Sequence, residues 1–168
     1  MTVRFGLRIS ALVATLLAVT ACTSQAEQTS TNVRIVKNNP GGPMIGYAMT
    51  SLRFREQGYM VRFNGFCDSA CTLLLGLPAE QLCLNPGASF GFHLPYGSTR
   101  KVNKAAEEYL YAQYPDWVRD WISDQGGLRS RVKRMYFGTA NAHIKRCNAL
   151  DDDAPASNKH WIQSVSIR

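Results

Sequence analysis

Apolar and polar positions change period several times along this chain, and each change marks an expected element. Val33-Arg34-Ile35-Val36 predicts a short strand running into the turn Asn38-Asn39-Pro40-Gly41-Gly42-Pro43. Pro43 suits a first helical position, where a missing N–H costs nothing. Met44, Ile45, Ala48, Met49 and Leu52 then recur at helical spacing, with Gly58 as the stop. Tyr59, Val61 and Phe63 alternate with Met60, Arg62 and Asn64, which predicts a second strand. Ser69 to Leu77 is nearly all apolar and closed by Pro78, so it reads as a short buried helix. Gln81 to Leu84 and Ala88 to His93 read as short strands. Helices are expected over 101–113 and 116–124, split at Tyr114-Pro115, and two shorter ones over Leu128 to Tyr136 and Thr139 to Arg146. Strand–helix–strand order implies an α/β fold, a crossover βαβ sheet with a helical C-terminal half.

The ends differ in character from this middle. Arg4 and Arg8 precede an apolar run from Ile9 to Ala21, too short for a membrane span, so residues 1–21 read as a secretory signal peptide. Val19-Thr20-Ala21-Cys22 resembles a bacterial lipobox, which would make Cys22 a lipidated first residue; the alternative is ordinary cleavage and simple secretion. Five cysteines are an odd number, and assigning Cys22 to lipid leaves an even set of Cys67, Cys71, Cys83 and Cys147. Residues 22–32 are polar and read as a flexible tether, 33–147 as one domain, and 148–168 as a polar tail. The expected location is the bacterial cell envelope, on the periplasmic side, held to the membrane by the lipid.

Charge adds little. Nineteen Lys and Arg stand against 12 Asp and Glu, and removal of Arg4 and Arg8 with the signal lowers the net charge from +7 to +5. The basic residues are scattered apart from Arg129, Arg131, Lys133 and Arg134, with no nucleic-acid motif beside them, so no nucleic-acid partner is expected. That cluster reads as a solvated helix face. No cofactor or metal is called for.

The candidate chemistry lies in three pieces. Ser69 stands where a strand meets a helix, His93 follows 24 residues later in Gly91-Phe92-His93, and Gly41-Gly42 forms a tight upstream turn. A serine hydroxyl is a weak nucleophile until an imidazole takes its proton, and the resulting oxyanion needs N–H donors already in place. A serine at a sharp strand-to-helix junction is exposed and has the next amide, that of Ala70, beside it. Glycine at 41 and 42 lets the backbone approach substrate.

In order and spacing, Asn39-Pro40-Gly41-Gly42, Ser69-Ala70, Asn85-Pro86-Gly87-Ala88 and Gly91-Phe92-His93 resemble the Clp protease proteolytic subunit and the Clp/crotonase superfamily. The Cys67-Asp68-Ser69-Ala70-Cys71 element is similar to that of periplasmic Clp-like proteins. The resemblance spans residues 33 to 95. It implies a Clp/crotonase-like domain hydrolysing peptide bonds, with Ser69 as nucleophile, His93 as base, and Gly41, Gly42 and Ala70 as oxyanion donors. The substrate would be a peptide or unfolded protein segment lying extended along the Pro-Gly-Gly stretch. A homo-oligomer is compatible with it; an ATP-driven unfoldase is not expected outside the cytoplasm.

Three departures from the family pattern stand out. No aspartate beyond His93 occupies a recognisable third position, and Arg129 to Ala142 holds no acid. Losing the acid costs roughly 10⁴-fold in a Ser-His-Asp triad. The strand and helix that open family domains have no room between Cys22 and Val33, and nothing reads as a ring-stacking element. A catalytically inactive envelope lipoprotein that binds peptides or a partner protein is therefore the competing reading.

Plainer roles stand beside each residue. Ser69 is also a favoured N-cap, His93 a strand-end core histidine, and Gly41-Gly42 a bare turn. Cys67, Cys71, Cys83 and His93 form a conceivable zinc set, weighed below disulfides. Of three pairings, Cys67–Cys71 with Cys83–Cys147 is preferred, since the first would brace the elbow and the second pin the helical half to the sheet. Tyr114, Trp117 and Trp121 share a helical spacing typical of packing; Tyr96 is the candidate for an aromatic lid.

Overall fold

Six strands and four α-helices alternate along residues 32–148, the part of the chain that this computed structural model describes. The segments expected to be a signal peptide (1–21), a tether from Cys22 (as far as residue 31) and a polar tail (beyond Asn148) fall outside the described residues. Strand β1 (Val33–Val36) leads through the Pro-Gly-Gly segment to helix α1 (Met44–Glu56), and β2 (Met60–Phe63) follows. Then come β3 (Phe66–Asp68), a 3₁₀ helix (Ser69–Gly76), a 3₁₀ turn (Ala79–Gln81), β4 (Leu82–Leu84) and β5 (Ser89–Phe92). Helices α2 (Arg100–Gln113) and α3 (Asp116–Asp124), strand β6 (Lys133–Tyr136) and helix α4 (Phe137–Ala140) complete the order.

The strands form two three-stranded sheets. The first, β1-β2-β4, is parallel throughout; the second, β3-β5-β6, has β3 parallel to β5 and β6 antiparallel to it. Phe63 of β2 meets Phe90 of β5 edge to face, centroids 4.9 Å apart, joining the sheets through the core. Asn39 continues β1 alongside β3, its N–H donating to Phe66 O (2.7 Å) while Asp68 N–H donates to Asn39 O (2.8 Å). That bridge carries the Pro-Gly-Gly segment toward the end of β3.

Around the sheets, α1 packs on the 3₁₀ helix, and Arg55 Nη2 donates to Gly76 O (2.6 Å). The 3₁₀ helix buries Ala70, Cys71, Thr72 and the three leucines 73–75, as its apolar sequence requires. Thr99 caps α2 through its hydroxyl, which accepts from Val102 N–H (3.3 Å), and Pro115 opens α3. Both disulfides form as preferred. Cys67–Cys71 spans a Cα separation of 5.4 Å, and Cys83–Cys147 one of 4.8 Å.

Three expectations need correction. The buried face of α1 is Tyr47, Thr50, Ser51 and Phe54, whereas Ile45, Met49 and Leu52 are 66%, 63% and 41% exposed. Of the apolar stripe only Met44 and Ala48 pack against the core, whose α1 face is otherwise built with an aromatic pair and two hydroxyl residues. Arg62 in the second strand is 2% exposed; β2 lies between β1 and β4, and the guanidinium Nη2 donates to Asn148 O (2.8 Å). The basic cluster is not a helix face: residues 133–136 pair with the edge of β5, and only Met135 among them is fully buried. Helix α4 ends at Ala140 rather than running to Arg146, since the chain turns there and Arg146 bridges to Leu84 instead.

Candidate active site

Strand register brings the catalytic candidates to one edge. Parallel pairing of β3 with β5 sets Asp68 opposite Gly91, so Ser69 and His93 leave from the carboxyl ends of neighbouring strands. In open α/β sheets that edge is where ligands bind.

Ser69 itself is in the left-handed region, with φ +57°. A non-glycine residue there is uncommon and strained, and such strain concentrates at functional positions. The turn is what converts β3 into the 3₁₀ helix in one residue. Ser69 is half-buried, and its hydroxyl has no hydrogen-bond partner among the described residues; no side chain caps this helix. The plain N-cap role is therefore not the one it plays. Its carbonyl accepts from Thr72 Oγ1 (2.6 Å), and that hydroxyl also bonds the Tyr114 hydroxyl (2.6 Å).

Directly over this elbow lies Gly41, with φ +84°. A methyl added to it would stand 2.5 Å from Asp68 O, 2.6 Å from Ser69 Cβ and 3.0 Å from Ala70 N, so no other residue fits. The Gly41 N–H is turned away, donating to Asn39 Oδ1 (2.9 Å), which also accepts from the Tyr47 hydroxyl (2.6 Å). Burial raises the Tyr47 phenol above its ordinary range against the lowering effect of that bond. Of the three expected oxyanion donors, Gly42 and Ala70 keep amides outside such contacts, while Gly41 serves to fix the loop.

His93 is half-buried at the end of β5. Its Nδ1 lies 2.8 Å from Leu94 O. A carbonyl can only accept, so Nδ1 carries a proton, and in the neutral ring that leaves the lone pair on Nε2. Leu94 is in turn anchored by its N–H to Arg129 O (2.8 Å). No hydrogen bond joins His93 to Ser69, and no carboxylate bonds to the imidazole among the described residues. Asp116 pairs with Arg119 on α3, and Asp120 and Asp124 are exposed on the same helix.

The aromatic residues divide as packing and surface. Tyr114 and Trp121 hold Phe92, the residue before His93, with centroids 5.6 and 5.4 Å away. Trp117 stacks on His143 at 4.6 Å, beside an apolar depression of about 280 Å³ that Leu75, Leu82 and Ile144 also line. None of the catalytic candidates lines it. Tyr96 is 81% exposed, its ring centroid 5.4 Å from that of His93.

Sequence reasoning passed over the charge pair behind Ser69. Asp68 takes a two-pronged bond from Arg134, Nη1 to Oδ1 (2.9 Å) and Nη2 to Oδ2 (2.7 Å), and Nη1 also donates to Ser89 Oγ (3.1 Å). A glycine inside the Ser89–Phe92 strand was the available signal of close approach. With both cysteine pairs joined, Cys67, Cys71 and Cys83 have no thiolate to offer zinc.

The geometry thus defines an α/β domain with a strained serine elbow under a glycine loop and a histidine on the adjoining strand. No protein-family model matches the chain, and no curated protein sequence matches it. Among solved structures it is similar to a mutant of ClpP1 from Listeria monocytogenes, at 14% identity and a TM-score of 0.43, over 68% of this chain and 71% of that one.

Proposed function

We propose that the protein is an exported, Clp-like serine peptidase that cleaves peptides or unfolded segments. The observation that carries this reading is the left-handed Ser69, its hydroxyl unpartnered, pressed under Gly41 at the carboxyl edge of β3. In the reaction His93 Nε2 takes the Ser69 proton as Oγ adds to the substrate carbonyl carbon. The N–H groups of Gly42 and Ala70 receive the oxyanion, and the imidazolium returns its proton to the departing amine as the C–N bond breaks. Water then repeats the sequence on the acyl-enzyme, releasing Ser69. The Leu94 carbonyl holds the imidazole tautomer that an aspartate sets in a Ser-His-Asp triad, without that residue's negative charge. Such a site is slower than a full triad. The chain acts on the periplasmic side of the envelope, tethered through lipid on Cys22.

A fluorophosphonate probe tests this: it labels the folded wild-type protein and not Ser69→Ala. Absence of wild-type labelling would remove the enzyme reading. The missing Ser69–His93 hydrogen bond favours a second reading, a groove that binds extended peptides without turnover. Peptide affinity unchanged in Ser69→Ala, with no cleavage over days, would select it. Anchoring predicts detergent-phase partition that Cys22→Ser abolishes; unchanged partition means simple secretion.

A further inference from the structure

We propose that Arg134 is a positioning residue for Ser69, acting through Asp68. The inference rests on the Ser69 reading above. Three contacts surround the strained turn. Gly41 presses on it from one side, and the Cys67–Cys71 disulfide closes it from within the chain. The third comes from far away in sequence. Arg134, 66 residues on, grips both oxygens of the residue immediately before the nucleophile.

The sheet is built to permit that grip. Asp68, Gly91 and Arg134 stand in one line across β3, β5 and β6. The carboxylate must cross β5 to reach the guanidinium, and it does so over Gly91. A Cβ at 91 would lie 2.3 Å from Asp68 Oδ1 and 3.0 Å from Val132 Cγ1. Ser89 adds its hydroxyl as a further acceptor for Nη1. A planar fork that takes two oxygens at once fixes direction as well as distance, which a lysine ammonium does not. Asp68 is thereby held against β5, and the chain direction at Ser69 with it. Partly exposed ion pairs contribute little to global stability, so the expected signature of this one is local.

Labelling rate by a fluorophosphonate and hydrogen exchange of residues 66–72 read it, on the full chain at a temperature where every variant is folded. Arg134→Ala is expected to label more slowly by on the order of 10²-fold, the scale of an ångström's displacement of a reacting group. Its 66–72 segment exchanges faster, while α1 exchanges as in wild type. Arg134→Lys recovers part of the loss. Phe54→Leu, a core change in α1, lowers melting temperature but labels at the wild-type rate. Wild-type labelling and exchange in folded Arg134→Ala would overturn the proposal, as would a slowing matched by Phe54→Leu. If wild type itself is not labelled, the hydrolase reading fails, and exchange at 66–72 alone decides for or against the brace.

Discussion

Replacing Gly41 by alanine separates two costs that a single methyl imposes at the elbow. The first is conformational: φ is +84°, and a non-glycine residue there loses about 1–2 kcal/mol. Restricting the unfolded chain returns about 0.4–1 kcal/mol. The second is steric, because the methyl would meet Asp68 O at 2.5 Å and Ser69 Cβ at 2.6 Å, and both sit on tightly held backbone. Forcing such contacts apart costs about 1–3 kcal/mol. The net loss lies between about 1 and 5 kcal/mol, centred near 3 kcal/mol, which is a fall of about 10 °C in Tm for a domain of this size. Gly87→Ala is the matched control: φ is +93°, but nothing lies within 4 Å of the added methyl, so it loses at most about 1.6 kcal/mol. Thermal unfolding by circular dichroism and fluorophosphonate labelling are measured on both. Gly41→Ala should melt well below Gly87→Ala and label poorly even when folded. Equal melting of the two, with labelling intact, refutes the apposition of the loop and the elbow.

The remaining predictions concern stability. Loop-closure entropy makes the double serine replacement of Cys83 and Cys147, 64 residues apart, cost about 4 kcal/mol, against about 2 kcal/mol for Cys67 and Cys71, 4 apart; denaturant midpoints of both measure the ratio. Phe54→Ala should cost about 3–5 kcal/mol and Ile45→Lys less than about 0.5 kcal/mol, since only the former is buried; reversed values would place the core on the other side of α1. Burial, opposed by the Thr72 hydrogen bond, holds the Tyr114 phenol well above its ordinary range, so it stays protonated in the folded chain where the unfolded one ionises near pH 10. Its stabilising contribution is complete below about pH 10 and is lost as pH rises further; Tyr114→Phe should flatten that alkaline decline while losing about 1 kcal/mol at neutrality.

Elements with strong local punctuation were legible before any coordinates. Pro115 and Asp116 set the start of α3, and residues 116–124 are helical as read. Setting Cys22 aside left Cys67, Cys71, Cys83 and Cys147 as an even set with three possible pairings, and the one preferred, for bracing the elbow and pinning the helical half, is the one that forms. Period alone misled where tertiary surroundings decide orientation. Ile45, Met49 and Leu52 share a helix face with no neighbour among the described residues to cover it, and Arg62 alternates correctly yet lies between two strands. Residues 133–136 read as a basic helix because the edge of β5 that recruits them is more than 40 positions away. The candidate site followed the same division. Ser69 and Gly41 were visible as turn residues, but Asp68–Arg134 and the Leu94 carbonyl arise from register across a sheet and from main-chain geometry, neither of which residue identity carries.

The bond between Cys83 and Cys147 also decides how damage would look on a gel. Arg129 and Arg131 are exposed between α3 and β6, and a trypsin-like cut there leaves two pieces still covalently joined. Nicked protein would migrate as intact material until a reductant is added, so integrity during purification has to be judged on reduced samples.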